Sequence, residues 1–313
     1  MNVSPTFPRA QQEMADGTPG MKGRSLWTDA RKRLMGNRAA LASAGILAVI
    51  ALLAWCAPLL SPYAFDHQDY SIISCAPNWW PDKTVFCDAG GAHWFGTDNL
   101  GRDLFVRVLF GARVSLAVAF VATCVSLVVG VGYGAVAGFI GGRLDELMMR
   151  FVDILYALPY IFLVIILMVV FARNFYLMFV AIGAVEWLTM ARIVRGQTLA
   201  VKNKEFIEAA RAAGVGRFKT VVQHVIPNVV GPVIVYATLT VPNVILAESF
   251  LSFLGLGIQE PLTSWGVLIS EGANQMETAP WLLLFPASFM AVTLFCFNFI
   301  GDGLRDALDP KDR

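Results

Sequence analysis

Acid–base or metal chemistry would fall first to the three histidines, His67, His93 and His224, and their spacing suits neither. No two lie one helical turn apart, and neither H-E-x-x-H nor G-x-S-x-G occurs. The dipeptide Gly-Lys is also absent, which removes the phosphate-cradling Walker A loop. Cys56, Cys124 and Cys296 lie in apolar runs, where a thiol behaves as a small hydrophobe. Cys75 and Cys87 instead bracket a polar stretch containing Pro77, Trp79, Trp80 and Pro81. If that stretch faces an oxidising compartment, a disulfide between them would be worth about 3 kcal/mol on chain-entropy grounds. A metal site is disfavoured, because no second cysteine pair accompanies them and His93 cannot complete one alone. Gly130-x-Gly132-x-x-Ala135 has the outline of a dinucleotide fingerprint but lies in an apolar run with no strand before it. The residues therefore predict no catalysis, no metal and no cofactor on this chain.

A different kind of work is suggested by Glu205-Phe206-Ile207-Glu208-Ala209-Ala210-Arg211-Ala212-Ala213-Gly214, followed after nine residues by His224-Val225-Ile226-Pro227. Glu205 and Glu208 favour a helix N-terminus, alanine propagates the helix, and Gly214 can adopt the left-handed conformation that ends it. The spacing predicts a short helix, a stop and a second short helix. Four alanines leave little bulk, so another surface can approach closely, and such a helix suits a partner's groove. Physics alone leaves open an amphipathic interfacial helix with no partner.

These segments need elements to hold them, and the composition says which. The chain has 313 residues, 57% apolar and only 15% charged, too greasy for an ordinary soluble domain of that length. A net charge of +1 gives no electrostatic case for nucleic acid. Residues 39–60, 114–140, 154–172, 175–191, 225–247 and 278–301 are apolar stretches of roughly the length that crosses a ~30 Å hydrocarbon core. Glu186 makes the fourth the weakest. An all-α membrane protein with six transmembrane helices follows. With the N-terminus inside, 19 of the 24 Lys and Arg fall on the cytoplasmic side, so both termini are expected to be cytoplasmic. The expected organisation is a cytoplasmic N-terminal tail (1–38), a first transmembrane helix (39–60), an extracytoplasmic segment (61–113), a core (114–301) containing the polar loop 192–227, and a cytoplasmic tail (302–313). No cleavable signal peptide is evident, since the first apolar run is too long for one.

Within the spans, Gly130, Gly134 and Gly138 share one helical face and would let another backbone come close. Pro159 and Pro242 interrupt spans three and five, either lining a cavity or leaving a fixed kink. Glu186 is costly in a membrane and so a functional candidate, though its nearness to Arg192 favours snorkelling or pairing at the cytoplasmic surface. On the outer side, Gln259, Glu260, Ser264 and Trp265 are candidates for a translocation path or outer gate, against an ordinary surface loop. Arg102, Arg107 and Arg113 violate the charge rule there and read as interfacial or buried against a partner.

The run Glu208-Ala209-Ala210, Gly214 and His224 to Pro227 resembles the EAA motif of ABC importer permeases. Residues 95–103 (FGTDNLGRD), 248–257 (ESFLSFLGLG), 264–266 (SWG) and 297–311 (FNFIGDGLRDALDPK) resemble, more narrowly, permeases of the OppC/DppC oligopeptide and dipeptide type. The likeness extends from about Gly23 to the C-terminus, excluding the insert between Cys75 and Cys87. It implies a MetI-like type I importer fold, with spans two to six as the core and span one peripheral. It also implies that Glu205, Glu208, Ala209, Ala210, Gly214, His224 and Pro227 couple the chain to an ATPase. The implied partners are a second homologous permease, two ATPase subunits that bind ATP and Mg, and an extracytoplasmic peptide-binding protein. Transport of peptides across a bacterial inner membrane by alternating access would follow, with nickel chelates or cell-wall peptides as alternative cargo. A secondary transporter would instead need mid-membrane coupling residues and repeated halves, and neither is visible.

Overall fold

The computed structural model describes residues 26–80, 93–170 and 175–308. Its regular elements are helices: α1 (Leu26–Gly36), α2 (Arg38–Leu60), α3 (Leu104–Ile140), α4 (Gly142–Ala157), α5 (Tyr160–Val170), α6 (Phe175–Lys202), α7 (Glu205–Ala212), α8 (Arg217–Thr220), α9 (Ile226–Phe253), α10 (Trp265–Ala273) and α11 (Trp281–Leu308). A π turn at Val221–Val225 joins α8 to α9, giving one run of 37 residues.

Among the described residues four runs are long and apolar enough to cross a membrane: α2, α3, α8 to α9, and α11. A fifth is added if α4 and α5 count as one broken span. The span expected over residues 154–172, interrupted at Pro159, is bent where it is described. Helix α4 ends at Ala157, Leu158 is extended, and α5 leaves at 87° to α4. Pro159 disfavours helical backbone at the residue before it, which sets the break. Asp145, Arg150 and Asp153 all lie on α4, so the polar part of the pair precedes the break.

Two other boundaries differ from the sequence reading. Helix α3 begins at Leu104, within the segment expected to be a loop, because Asp103 accepts the Val106 amide at 2.9 Å and caps it. Helix α11 runs on to Leu308, through most of the expected tail.

The centre of the bundle is the α3–α6 pair. A Cβ added to Gly130 would lie 2.6 Å from Cβ of Met190, one at Gly134 2.3 Å from the Ala191 carbonyl oxygen, and one at Gly138 2.9 Å from that of Arg195. Gly183 of α6 does the same toward Val125 of α3. With no hydrophobic drive between helices in lipid, such backbone contact supplies the dispersion energy that holds them together. We expect Gly134→Val to cost about 1–3 kcal/mol by overpacking and to lower the melting temperature of the purified protein. Gly132→Val, where nothing lies within 4 Å, should melt like wild type.

Helices α2 and α11 are peripheral. Only 22% and 17% of their apolar windows are buried, against 44% for α3. Helix α2 packs on α11 and α3, and α1 lies against α11.

Candidate functional site

The loop between α6 and α9 is packed against the bundle on one face and exposed on the other. Helix α7 turns Ile207, which is fully buried, and Ala210 inward. Ile207 joins a cluster containing Phe139, Met190, Val194 and Val229, so the loop rests on α3, α6 and α9; Ala210, expected among the coupling residues, is buried against the chain and not offered outward. Its end is a Schellman motif: the Val215 amide bonds the Ala210 carbonyl and the Gly214 amide that of Arg211, both at 3.0 Å. Gly214 has φ +78°, the left-handed conformation the motif needs, and a Cβ there would meet nothing within 4 Å. Arg211 leans back over the Phe139 ring at 5.0 Å. Outward the loop presents Glu205, Glu208, Ala209, Gly214 and Pro227, with His224 half-buried. It also presents Phe218, 80% exposed, which the motif left unread. A bare aromatic in the stretch Gly216-Arg217-Phe218-Lys219 was the available signal, since exposed aromatics anchor interfaces.

A second feature is a cavity of about 570 Å³ at the α4–α5 break. Tyr156 and Pro159 wall one side, Glu186 and Thr189 of α6 another, and Tyr236 and Asn243 of α9 the third. Pro159 therefore lines a cavity, whereas Pro242 is buried in α9. The pairing of Glu186 with Arg192 does not form. Arg192 bonds Asp153 at 2.6 Å and lies over the Tyr156 ring at 4.3 Å.

The outer end of the bundle contains a buried charge network. Asp98, 2% exposed, accepts from Nε of Arg102 at 2.6 Å, from Nη1 of Arg107, and from the backbone amides of Leu100 and Arg102. Arg102 reaches Glu260 at 2.9 Å and Arg107 reaches Glu271 at 3.1 Å. Burial opposes the charge of Arg102, but Asp98 and Glu260 outweigh it and hold the guanidinium above its ordinary pKa. Two of the three arginines that violate the charge rule, Arg102 and Arg107, are thus buried within this chain. Beside them, Asp103 pairs with His93 at 2.8 Å, and the His93 ring stacks on Tyr63.

Arg113 has a different task. Pro58 in α2 lacks the amide that would bond the Ala54 carbonyl. The Arg113 guanidinium donates to that carbonyl and, at 2.5 Å, to that of Trp55. One arginine therefore both satisfies the proline-disrupted turn and ties the peripheral helix to α3.

The candidate outer-gate residues divide. Gln259 and Glu260 are exposed, but Ser264 and Trp265 are fully buried and line no open path in this structure. Ser264 caps α10 through the Val267 amide and donates to Glu248 at 2.6 Å, and Ser252 donates to the same carboxylate at 2.7 Å. Trp265 bonds the Val108 carbonyl through its indole at 3.1 Å. Gly266 lies where a Cβ would come 2.5 Å from Cα of Ser249. The serine, tryptophan and glycine thus fasten α10 to α3 and α9. Cys75 is disulfide-bonded, while Cys87, expected as its partner, lies outside the described residues. Among the described residues no cluster of His, Cys, Asp or Glu could hold a metal ion.

Comparison with known proteins places these features in context. Residues 130–313 match the family described as binding-protein-dependent transport system inner membrane component. Residues 25–77 match the N-terminal transmembrane domain of oligopeptide transport permease C. The chain is 58% identical over 293 residues to the oligopeptide transport system permease protein OppC of Escherichia coli, covering 94% of each. It is 54% identical to the OppC protein of Haemophilus influenzae, over 94% of this chain and 91% of that one. Identity to the dipeptide transport system permease protein DppC of Bacillus subtilis is 44%, over 91% and 86%. In fold it is similar to a chain of the inward-facing MetNI methionine ABC transporter. That match has a TM-score of 0.52 and 20% identity, covering 65% of this chain and 96% of that one.

Proposed function

The chain belongs to the family of binding-protein-dependent transport system inner membrane components, and from that premise we propose that it is the membrane-spanning subunit of an ATP-driven peptide importer. The observation that carries the reading is 58% identity across nearly the whole of both chains with a protein named for oligopeptide transport. Oligopeptides or dipeptides are the proposed cargo, and the bacterial cytoplasmic membrane the proposed location.

The full proposed architecture has six spans with both termini cytoplasmic, supported by the distribution of Lys and Arg. Its partners are a second homologous permease, two ATPases that bind ATP and Mg, and an extracytoplasmic peptide-binding protein. This chain hydrolyses nothing. Its part is mechanical: α7 and α8 dock on an ATPase through Phe206, Glu208, Ala209 and Phe218. Because Ile207 is seated in the α3–α6–α9 cluster, displacement of the loop displaces those helices. ATP can shift an inward–outward equilibrium only by binding one state better, so the loop carries that difference in affinity to the bundle.

The test is uptake of labelled tri-alanine into proteoliposomes holding both permeases and both ATPases, with the binding protein added outside. We expect accumulation with ATP enclosed and none with a non-hydrolysable analogue. Accumulation that follows an ion gradient in place of ATP would overturn the reading.

A further inference from the structure

Glu186 is the charged residue among the described groups lining the cavity at the α4–α5 break. It lies eleven residues into the 28 of α6, about 16 Å along the helix at 1.5 Å per residue. A carboxylate within a membrane-spanning helix is expensive unless a cation meets it. The arginines that follow on the same helix are committed elsewhere, Arg192 to Asp153 and Arg195 to both oxygens of Asp145 at 2.6 and 2.8 Å. No ion pair among the described residues includes Glu186.

The rest of the wall suits a small cation attached to a polar chain. Tyr236 presents an aromatic ring, whose face attracts ammonium groups, while the Tyr156 ring already carries the Arg192 guanidinium at 4.3 Å. Thr189 and Asn243 offer the hydrogen bonds that a peptide backbone needs. A volume of about 570 Å³ falls in the usual range for small-molecule sites. We propose that Glu186 recognises the free N-terminal ammonium of the transported peptide, making this cavity the cargo site within the membrane. The inference rests on the peptide-importer reading and adds to it the group of the cargo that this chain recognises.

The experiment compares tri-alanine with N-acetyl-tri-alanine in proteoliposomes of the full complex, each supplied at equal occupancy of the binding protein. Glu186→Gln should lower tri-alanine uptake about tenfold, the size expected for losing a charge-assisted hydrogen bond. It should leave uptake of the acetylated peptide unchanged, so the ratio of the two rates collapses. Glu186→Asp should restore part of the ratio, and ATP hydrolysis stimulated by loaded binding protein should persist in both variants. An unchanged ratio, or equal loss of both peptides, overturns the inference and assigns the carboxylate to packing or to a partner permease. A wild-type complex that imports neither peptide overturns the peptide reading and this inference with it, a result distinct from the others.

Discussion

Asp98→Ala should give a protein that is made and inserted but melts far below wild type. Asp98 is the shared counter-ion of two guanidinium groups that are 2% and 1% exposed. Removing one partner of a buried ion pair typically costs about 3–5 kcal/mol, because the remaining charge stays buried without compensation. Arg107 has no reserve: its Nε and Nη2 are buried without hydrogen-bond partners, and its second contact is Glu271, 28% exposed. The loss would free the start of α3, whose Val108 carbonyl holds Trp265. Glu260→Gln is the control. Its carboxylate is 55% exposed, and an exposed pair contributes about 0–1 kcal/mol. Thermal unfolding of both variants in the same detergent checks the contrast. Equal melting temperatures would show that the network is not what holds the outer cap.

Gly214→Val should abolish peptide uptake while leaving membrane insertion intact. The valine meets two obstacles. At φ +78° a β-branched side chain is strained by about 1–3 kcal/mol, which tilts the end of α7. Its side chain also projects into space where nothing of this chain lies within 4 Å, and so would stand in the way of the proposed ATPase. Because Ile207, not Gly214, anchors the loop, the strain is confined to the end of α7 and insertion is spared. Co-purification of the ATPase subunits with the variant is the readout, alongside uptake. Phe218→Ala should weaken the same co-purification by about 1 kcal/mol or more, as exposed aromatic anchors do. Full retention of the ATPases by both variants would remove this loop from the interface.

Much of the molecule could be read from its residues because the relevant physics is local. Apolar length marks the spans, and the Lys and Arg distribution gives a direction. The run from Glu205 to Gly214 specifies a capped helix with a left-handed stop, and that is the Schellman motif observed. The glycine spacing of Gly130, Gly134 and Gly138 gives a face whose neighbour proves to be α6.

Sequence was least informative where a residue's meaning depends on something distant in the chain. Arg102 and Arg107 contradict the charge rule until Asp98 and Glu260 from two loops and Glu271 from α10 are brought around them. Arg113 makes sense only beside Pro58, over fifty residues away. Ser264 and Trp265 look like exposed loop residues until Glu248 and Val108 are placed behind them. Glu186 seemed to belong with Arg192, yet Asp153 and the Tyr156 ring on α4 reach that arginine instead. By itself, then, the sequence determined that this is a helical membrane chain with a short capped helix suited to docking, since hydropathy and capping act within a few residues. Which polar groups are buried together, and which carboxylate is left facing a cavity, was decided by tertiary structure, because ion pairs and cavities are made by helices far apart in sequence.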